Sequence, residues 1–335
     1  MMTGFPEANG IPGVQAQILA YLKAHKGKSV SAREIKESLN ISLHRVYDSI
    51  AYLRSCGYEL KADAGGYELG ENPDTILAVE VAAGLDCRIL GCRIFSYQSL
   101  VSTNETAHGF AQAAFPEGTL IIADMQTRGR GRLGRTWHSP PGRGLYFSII
   151  LRPKLPPIQT PGISLIAGLA VIRAINNLTG VALKLKWPND VLYNSRKLAG
   201  ILVELEAELD RVEYAIVGIG VNVSGKAGEF PRSLAGKAAS VEMIYRRPIP
   251  RARILQEILR EFEKLYVNYC RHGLKFTGPE LVANSAVIGK NVTLQFGKKR
   301  ITGKAIGFDD NGGLIIKSKH GIRAYAAGEV TSRSL

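Results

Sequence analysis

The run Gln126-Thr127-Arg128-Gly129-Arg130-Gly131-Arg132-Leu133-Gly134-Arg135-Thr136-Trp137 sets four arginines and three glycines into one short stretch, just after the apolar strand Leu120-Ile121-Ile122-Ala123. Glycine lets a backbone turn tightly and approach a ligand closely. Arginine gives carboxylate and phosphate oxygens paired donors and a charge that does not titrate away. Between Asp124 and Asp190 no acidic residue occurs, against ten lysines and arginines. A basic, mobile loop of this kind suits closure over an anion, either a small molecule or a nucleic acid.

Three further stretches carry side chains that could do chemistry. Ser102-Thr103-Asn104 packs three small hydrogen-bonding groups behind the strand that ends near Tyr97. Lys186-Trp187-Pro188-Asn189-Asp190 leads, through a turn, into Arg196-Lys197-Leu198-Ala199-Gly200-Ile201-Leu202-Val203-Glu204. There Lys197 stands at the mouth of an apolar strand, where a rigid element can aim it. Gly218-Ile219-Gly220-Val221-Asn222 ends another strand in two small residues and an amide, but precedes no dinucleotide-type helix, so a Rossmann reading is poor. Each stretch alone also reads plainly, as a turn, a solvated lysine or a basic segment that sticks to RNA. Their joint occurrence within one domain is the signal.

The elements that must position these residues fall into three segments, here bounded at 1–72, 73–283 and 284–335. The first reads as a winged helix-turn-helix. Val14, Ile18, Leu19 and Leu22 recur at helical spacing, and Ser31 with Glu34 makes a capping box for a second helix. After the turn Asn40-Ile41-Ser42, a third helix puts Leu43, Val46, Tyr47, Ile50 and Leu53 inward and stops at Gly57. A hairpin follows, turning at Gly65-Gly66. In such a module the third helix enters the major groove, so Ser42, His44, Arg45 and Ser49 are the candidate DNA contacts, although Asp48 among them would repel phosphate. Winged helices also serve as protein-interaction modules. Asn72-Pro73-Asp74 reads as the linker.

The middle segment is α+β. Strands are expected at 93–97, 119–123, 144–151, 183–186, 197–206 and 212–223, the last two joined in a hairpin around Leu209-Asp210. Helices are expected at 162–178 and around Ile254 to Tyr266. Short turns between most strands predict a mixed or antiparallel sheet backed by helices. The last segment shows four short alternating strands, with turns at Gly297-Lys298 and Asn311-Gly312-Gly313, the pattern of a small SH3-like barrel.

Composition bounds the rest. The 335 residues suffice for two or three cores, and a formal charge of +14 favours an anionic partner without choosing DNA, a nucleotide or an acidic protein. Four scattered cysteines make no disulfide framework, and Cys87 and Cys92 read as buried thiols rather than metal ligands. The start lacks the regions of a signal peptide, and the apolar run from Ile163 to Ile175 is short for a bilayer. A cytoplasmic protein with no membrane partner is the expectation.

The conjunction of the arginine loop, Lys186 to Asp190 and Arg196 to Glu204 resembles the bifunctional biotin–protein ligases that double as biotin operon repressors. The resemblance covers nearly the whole chain. It implies a biotin–[acetyl-CoA-carboxylase] ligase that condenses biotin with MgATP to biotinyl-5′-adenylate and then biotinylates a lysine of a biotin carboxyl carrier domain. By resemblance, Ser102, Thr103, Asn104, Gln126, Gly129, Arg130, Gly131, Arg132 and Lys197 are biotin-side positions. Trp137, Lys186, Asn189, Asn222 and Arg333 fall on the nucleotide side. Lys197, Arg132 and Asp190 are the catalytic candidates, with Asp190 near Mg²⁺. The same resemblance implies a homodimer when adenylate is bound, presenting two winged helices to operator DNA. A lipoate or octanoate–protein ligase is the neighbouring alternative, and a non-catalytic ligand-sensing regulator is the alternative of another class.

Overall fold

Residues 13–71, 74–208 and 211–332 are described by the computed structural model. The expected linker residues Asn72 and Pro73, the turn residues Leu209 and Asp210, and Arg333 lie outside the described residues.

The N-terminal unit is built as its sequence pattern predicts. Helices α1 (Val14–Ala24), α2 (Ala32–Leu39) and α3 (Leu43–Ser55) precede a hairpin of β1 (Leu60–Asp63) and β2 (Gly66–Leu69). The capping box is present: Ser31 Oγ accepts from Glu34 N at 3.1 Å, and Glu34 Oε2 accepts from Ser31 N at 2.7 Å. These bonds from Ser31 hold the exposed Glu34 carboxyl below its usual range. Gly66 turns the hairpin at φ +131°, where a side chain would also overlap the Val30 carbonyl.

Helix α3 departs from expectation on both faces. Its buried stripe is Val46, Ser49, Ile50 and Leu53, whereas Leu43 and Tyr47 are 40% and 51% exposed. Positions 46, 49, 50 and 53 share one helical face, so Ser49 takes the place given to Tyr47. The Ser49 hydroxyl donates to the Arg45 carbonyl at 2.7 Å, the usual way a buried serine satisfies itself in a helix. Ser49 is therefore not a DNA contact. Ser42 caps the helix by accepting from Arg45 N at 3.3 Å, and the exposed His44 ring stands 3.2 Å from Asp48.

A five-residue helix, α4 (Ala78–Ala82), is buried between the two units and has no counterpart in the sequence reading. The central unit then runs β3 (Arg93–Leu100), α5 (Thr103–Gln112), β4 (Thr119–Gln126), β5 (Gly144–Leu151), α6 (Thr160–Thr179), β6 (Lys184–Lys186), β7 (Asp190–Tyr193), β8 (Arg196–Ala207) and β9 (Val212–Asn222). It closes with α7 (Val241–Tyr245), α8 (Arg251–His272) and α9 (Gly278–Ala283). The sheet order is β3-β4-β5-β9-β8-β7-β6, with β3 and β4 parallel and every other pair antiparallel. The expected mixed sheet is thus observed.

Helix α6 carries the centre of the core. With the turn before it, it is long and apolar enough to cross a membrane by length and composition, longer than the apolar run alone suggests. It is nevertheless apolar nearly all round because it is buried nearly all round, between the sheet and α8. Each large side chain buried there, such as Phe262 on α8 or Leu169 on α6, contributes about 1.5–3 kcal/mol.

The C-terminal unit has five antiparallel strands, one more than expected: β10 (Asn291–Phe296), β11 (Lys299–Phe308), β12 (Leu314–Ser318), β13 (Gly321–Tyr325) and β14 (Glu329–Ser332), in the order β13-β12-β11-β10-β14. Its Asn311-Gly312-Gly313 turn docks on the central unit. Trp187 Nε1, fully buried, donates to the Gly312 carbonyl at 3.0 Å, and a Cβ at Gly312 would come within 2.6 Å of Gly162 N. That contact fixes β14 beside the sheet.

Candidate active site

The face of the sheet opposite α6 holds a narrow slot, and the glycines explain it. Side chains alternate across a strand, so cross-strand neighbours share a face. Ser148, Gly218 and Leu202 are aligned in register on β5, β9 and β8, and Tyr146, Gly220 and Gly200 form the next row. Three glycines strip that patch of side chains and let other groups come close. A Cβ at Gly218 would overlap Asn104 Oδ1, and one at Gly220 would lie 2.5 Å from the Trp137 indole.

The slot's polar end is a closed hydrogen-bond network from four elements. Ser148 Oγ donates to Asn104 Oδ1 at 2.6 Å and lies 2.7 Å from Thr103 Oγ1. Gln126 Oε1 accepts from Thr103 N at 2.9 Å and from its hydroxyl at 3.2 Å, while Gln126 Nε2 donates to Ser139 Oγ at 2.9 Å. Asn104 Nδ2 donates to Glu204 Oε2 at 2.7 Å, and Arg130 pairs with Glu204 Oε1 at 2.9 Å. These partners fix which way each amide points.

The arginine-rich loop is folded as a short antiparallel excursion. Thr127 N and Arg128 N donate to the Leu100 and Val101 carbonyls, both at 2.9 Å, and Trp137 N donates to the Gly129 carbonyl at 2.8 Å. Gly131 N donates to Arg135 O at 2.7 Å, and the tip residue Leu133, at φ +56°, is 73% exposed. Carboxylates from elsewhere answer two of its arginines, Glu204 for Arg130 and Glu329 of β14 for Arg135 at 2.6 Å. Arg132 has no ion pair among the described residues. It donates to Asn189 Oδ1 at 3.1 Å and to the Gly328 carbonyl at 3.5 Å. Burial, and then Arg135, pull its pKa down, opposed by Asp190 and Glu329. A half-buried guanidinium set only on neutral oxygens is ready for an anion.

Lys197 stands at the slot's other end. Its ammonium lies 2.6 Å from Asp190 Oδ1 and 5.2 Å from the centre of the Trp137 ring. Beyond it opens a cavity of about 450 Å³, lined by Lys186, Asn189, Asp190, Asn222, Phe230 and β14, among others. Lys197, Arg132, Gly131, Trp137 and Asn189 border both spaces. Asn189 Nδ2 donates to Ile201 O at 2.9 Å, and Asn222 Nδ2 donates to Lys197 O at 3.3 Å and Ala239 O at 3.1 Å, so both amides are anchored to backbone. Trp137 Nε1 is buried with no hydrogen-bond partner among the described residues.

Of the residues expected here, Ser102, Thr103, Asn104, Gln126, Arg130, Gly131, Arg132 and Lys197 line the slot. Lys186, Asn189, Asp190, Asn222 and Trp137 line the wider cavity. Gly129 supports the loop from behind, where a Cβ would lie 2.6 Å from Trp137 O. The sequence reading missed Ser148, Glu204 and Glu329 as site residues. Glu204 was within reach, because β8 alternation puts it on the face of Gly200 and Leu202.

Comparison with known proteins decides the family. The chain is similar to the bifunctional ligase/repressor BirA of Bacillus subtilis (strain 168), 39% identical over 304 residues that span 90% of this chain and 93% of that one. The chain belongs to the biotin protein ligase family. Residues 96–222 match the Biotin/lipoate A/B protein ligase family, 14–68 an HTH domain, and 287–331 the biotin protein ligase C-terminal domain. The bifunctional ligase/repressor BirA of Escherichia coli (strain K12) is 28% identical over 327 residues, 97% of this chain and 98% of its own. Among solved structures, the biotin protein ligase from Aquifex aeolicus in complex with biotin and ATP aligns with a TM-score of 0.62 and 31% identity, over 72% of this chain and 99% of that one. The chain is thus a biotin ligase of the BirA type with an N-terminal helix-turn-helix repressor domain.

Proposed function

We propose that the slot holds biotin, that the wider cavity holds ATP, and that the carboxylate meets the α-phosphate between Lys197 and Arg132. One observation carries this reading: the two spaces share a border, and two cations stand on it. A carboxylate oxygen attacks the α-phosphorus and pyrophosphate leaves, giving biotinyl-5′-adenylate. The ε-amine of a carrier lysine then attacks the acyl carbon and AMP leaves, forming the amide. The acceptor is a biotin carboxyl carrier domain of acetyl-CoA carboxylase, in line with the ligase names borne by relatives.

Each side chain has a physical task. Ser148, Thr103, Asn104 and Gln126 offer the mixed donors and acceptors that a cyclic urea needs. Lys197 and Arg132 offset the repulsion between two anions and stabilise charge that builds at the α-phosphate, where such groups act most strongly. The Trp137 indole offers a buried donor and a face to the nucleotide. Lys186 stands where a triphosphate needs a cation, and Arg333 is assigned to the phosphates on resemblance alone.

Among the described residues, no cluster of three or more His, Cys, Asp or Glu could hold a metal ion. That donor set still fits Mg²⁺, which is typically held by one or two carboxylates plus substrate phosphates. Asp190 would supply the carboxylate, and the ion would neutralise phosphate charge. Adenylate is a mixed anhydride, and the loop that lies over it keeps water out until the amine arrives.

The winged helix extends the reading to DNA. Ser42, His44 and Arg45, with the exposed Leu43 and Tyr47, form the face offered to an operator, as a homodimer when adenylate is bound. The expected setting is the cytoplasm. Incubation with labelled biotin, ATP and an apo acceptor domain tests the ligase. Label on the acceptor supports it, lipoate transfer instead moves the chain to the neighbouring activity, and binding without transfer makes it a sensor. DNA retention that ignores biotin and ATP would break the proposed coupling.

A further inference from the structure

Arg251, the first residue of α8, is 4% exposed, a burial that arginine seldom adopts unless fully paired. Its donors go to two places. The backbone N and Nε bind the Asp74 carboxylate at 2.8 and 2.9 Å, and Nη2 binds the Asp74 carbonyl at 2.9 Å. Nη1 binds Asp124 Oδ1 at 2.6 Å and the Gly144 carbonyl at 3.3 Å. Asp74 is the last residue of the expected linker. Asp124 lies on β4 two residues before Gln126, and Gly144 opens β5 at the far end of the arginine-rich excursion. Asp124 Oδ2 also accepts from Gly142 N at 3.2 Å. One planar guanidinium therefore holds the linker and both stems of the loop.

The winged-helix unit is tied into the same corner a second time. Glu80 of α4 is buried, pairs with Lys23 of α1, and accepts from Tyr58 Oη at 2.5 Å. One turn along α8, Gln256 Nε2 donates to the carbonyls of Glu80, Val81 and Ala83 at 3.3, 2.9 and 2.8 Å. The N-terminal turns of α8 thus grip the linker helix, and through it the winged helix.

We propose that Arg251 is a positioning residue that couples the linker of the winged-helix unit to the stems of the arginine-rich loop. A guanidinium is rigid and its five donors are fixed in one plane, so Asp74 and Asp124 cannot shift independently. Ligand held under the loop steadies the β4 and β5 stems, and that is felt at Asp74. By reciprocity, whatever holds the winged helix alters the hold on the ligand. The inference rests on the reading of the slot and cavity as the biotin and ATP sites.

Hydrogen exchange on the full chain, with and without biotin plus a non-hydrolysable ATP analogue, tests it. In the wild type, ligand should slow exchange both in residues 119–144 and in residues 74–84. Asp74→Asn removes the charged linker arm and leaves Arg251 on Asp124. Its loop segment should respond as in the wild type, acceptor labelling should stay within about twofold, and the response of 74–84 should shrink by about fivefold or more. Asp74→Glu, which keeps the charge, should restore much of that response. A merely structural role would loosen 74–84 equally with and without ligand. An unchanged ligand response of 74–84 in Asp74→Asn, or a wild type that responds only at 119–144, overturns the coupling. A wild type with no response at 119–144 overturns the reading of the site, and the coupling with it.

Discussion

The slot and the cavity share a border but are made of different material. The slot's polar end and floor come from the sheet and the N-terminus of α5, with glycines at 200, 218 and 220 removing the side chains that would fill it. The cavity is assembled from the arginine loop, the Lys186 to Asp190 turn, the 230–238 segment and β14 of another unit. On the proposed reading, a small neutral ring is selected by fixed shape and a closed hydrogen-bond set, and a highly charged chain is held by cations that separate elements bring together. The contrast predicts that slot variants act on biotin alone, that cavity variants act on retention of the intermediate, and that the shared lysine acts on the chemistry.

Lys197→Ala should show the largest effect. Loss of a cation aimed at developing phosphate charge costs about 10²- to 10³-fold in the rate of adenylate formation. Biotin affinity should change little, because the slot's hydrogen bonds do not involve Lys197. Biotin-dependent pyrophosphate exchange, set beside calorimetric titration with biotin, separates the two. Equal losses in both would make Lys197 a binding residue and blur the border between the spaces.

Gly218→Ala comes next and tests the slot's rigidity. The added methyl overlaps Asn104 Oδ1, so Asn104 must leave Ser148 or Glu204. Loss of one charge-assisted hydrogen bond amounts to about 1.5–3 kcal/mol, which is roughly 10- to 150-fold in biotin affinity. Nucleotide affinity should stay put, since Gly218 borders only the slot. A variant that binds biotin normally would show that the slot adapts, against the contrast drawn here.

How far the sequence carried differs between the same two regions. The arginine loop, Lys197 and the Ser102-Thr103-Asn104 run were legible because charge and spacing are local properties. The strands β8 and β9 were legible too, and the glycines at 218 and 220 already stood out. What they do was not, because it depends on register: Gly218 matters through Ser148 and Leu202, which lie far away in the chain. Glu329 was invisible for a related reason, since β14 is four residues long and gains its meaning only by docking through Gly312 on Trp187. Ser49 was misplaced because helical spacing gives a face but not how wide the buried stripe is. Tyr47 lost its inward place to a serine that could satisfy its own hydroxyl.

Glu329→Gln should have the smallest effect and sharpens the contrast most. The Arg135–Glu329 pair joins the loop to the C-terminal unit at 2.6 Å, but Arg135 is largely exposed, and exposed ion pairs contribute about 0–1 kcal/mol. Release of adenylate should therefore quicken by no more than about fivefold. It would be measured as biotin label on a bystander protein relative to the carrier domain. Biotin affinity should not move, because Glu329 borders the cavity and not the slot. Arg132, on Asn189 and the Gly328 carbonyl, still bridges the same two units in this variant, so closure is weakened and not lost. If Glu329→Gln instead lowers biotin affinity as far as Gly218→Ala does, the two spaces respond as one body, and the division between a fixed slot and an assembled cavity fails.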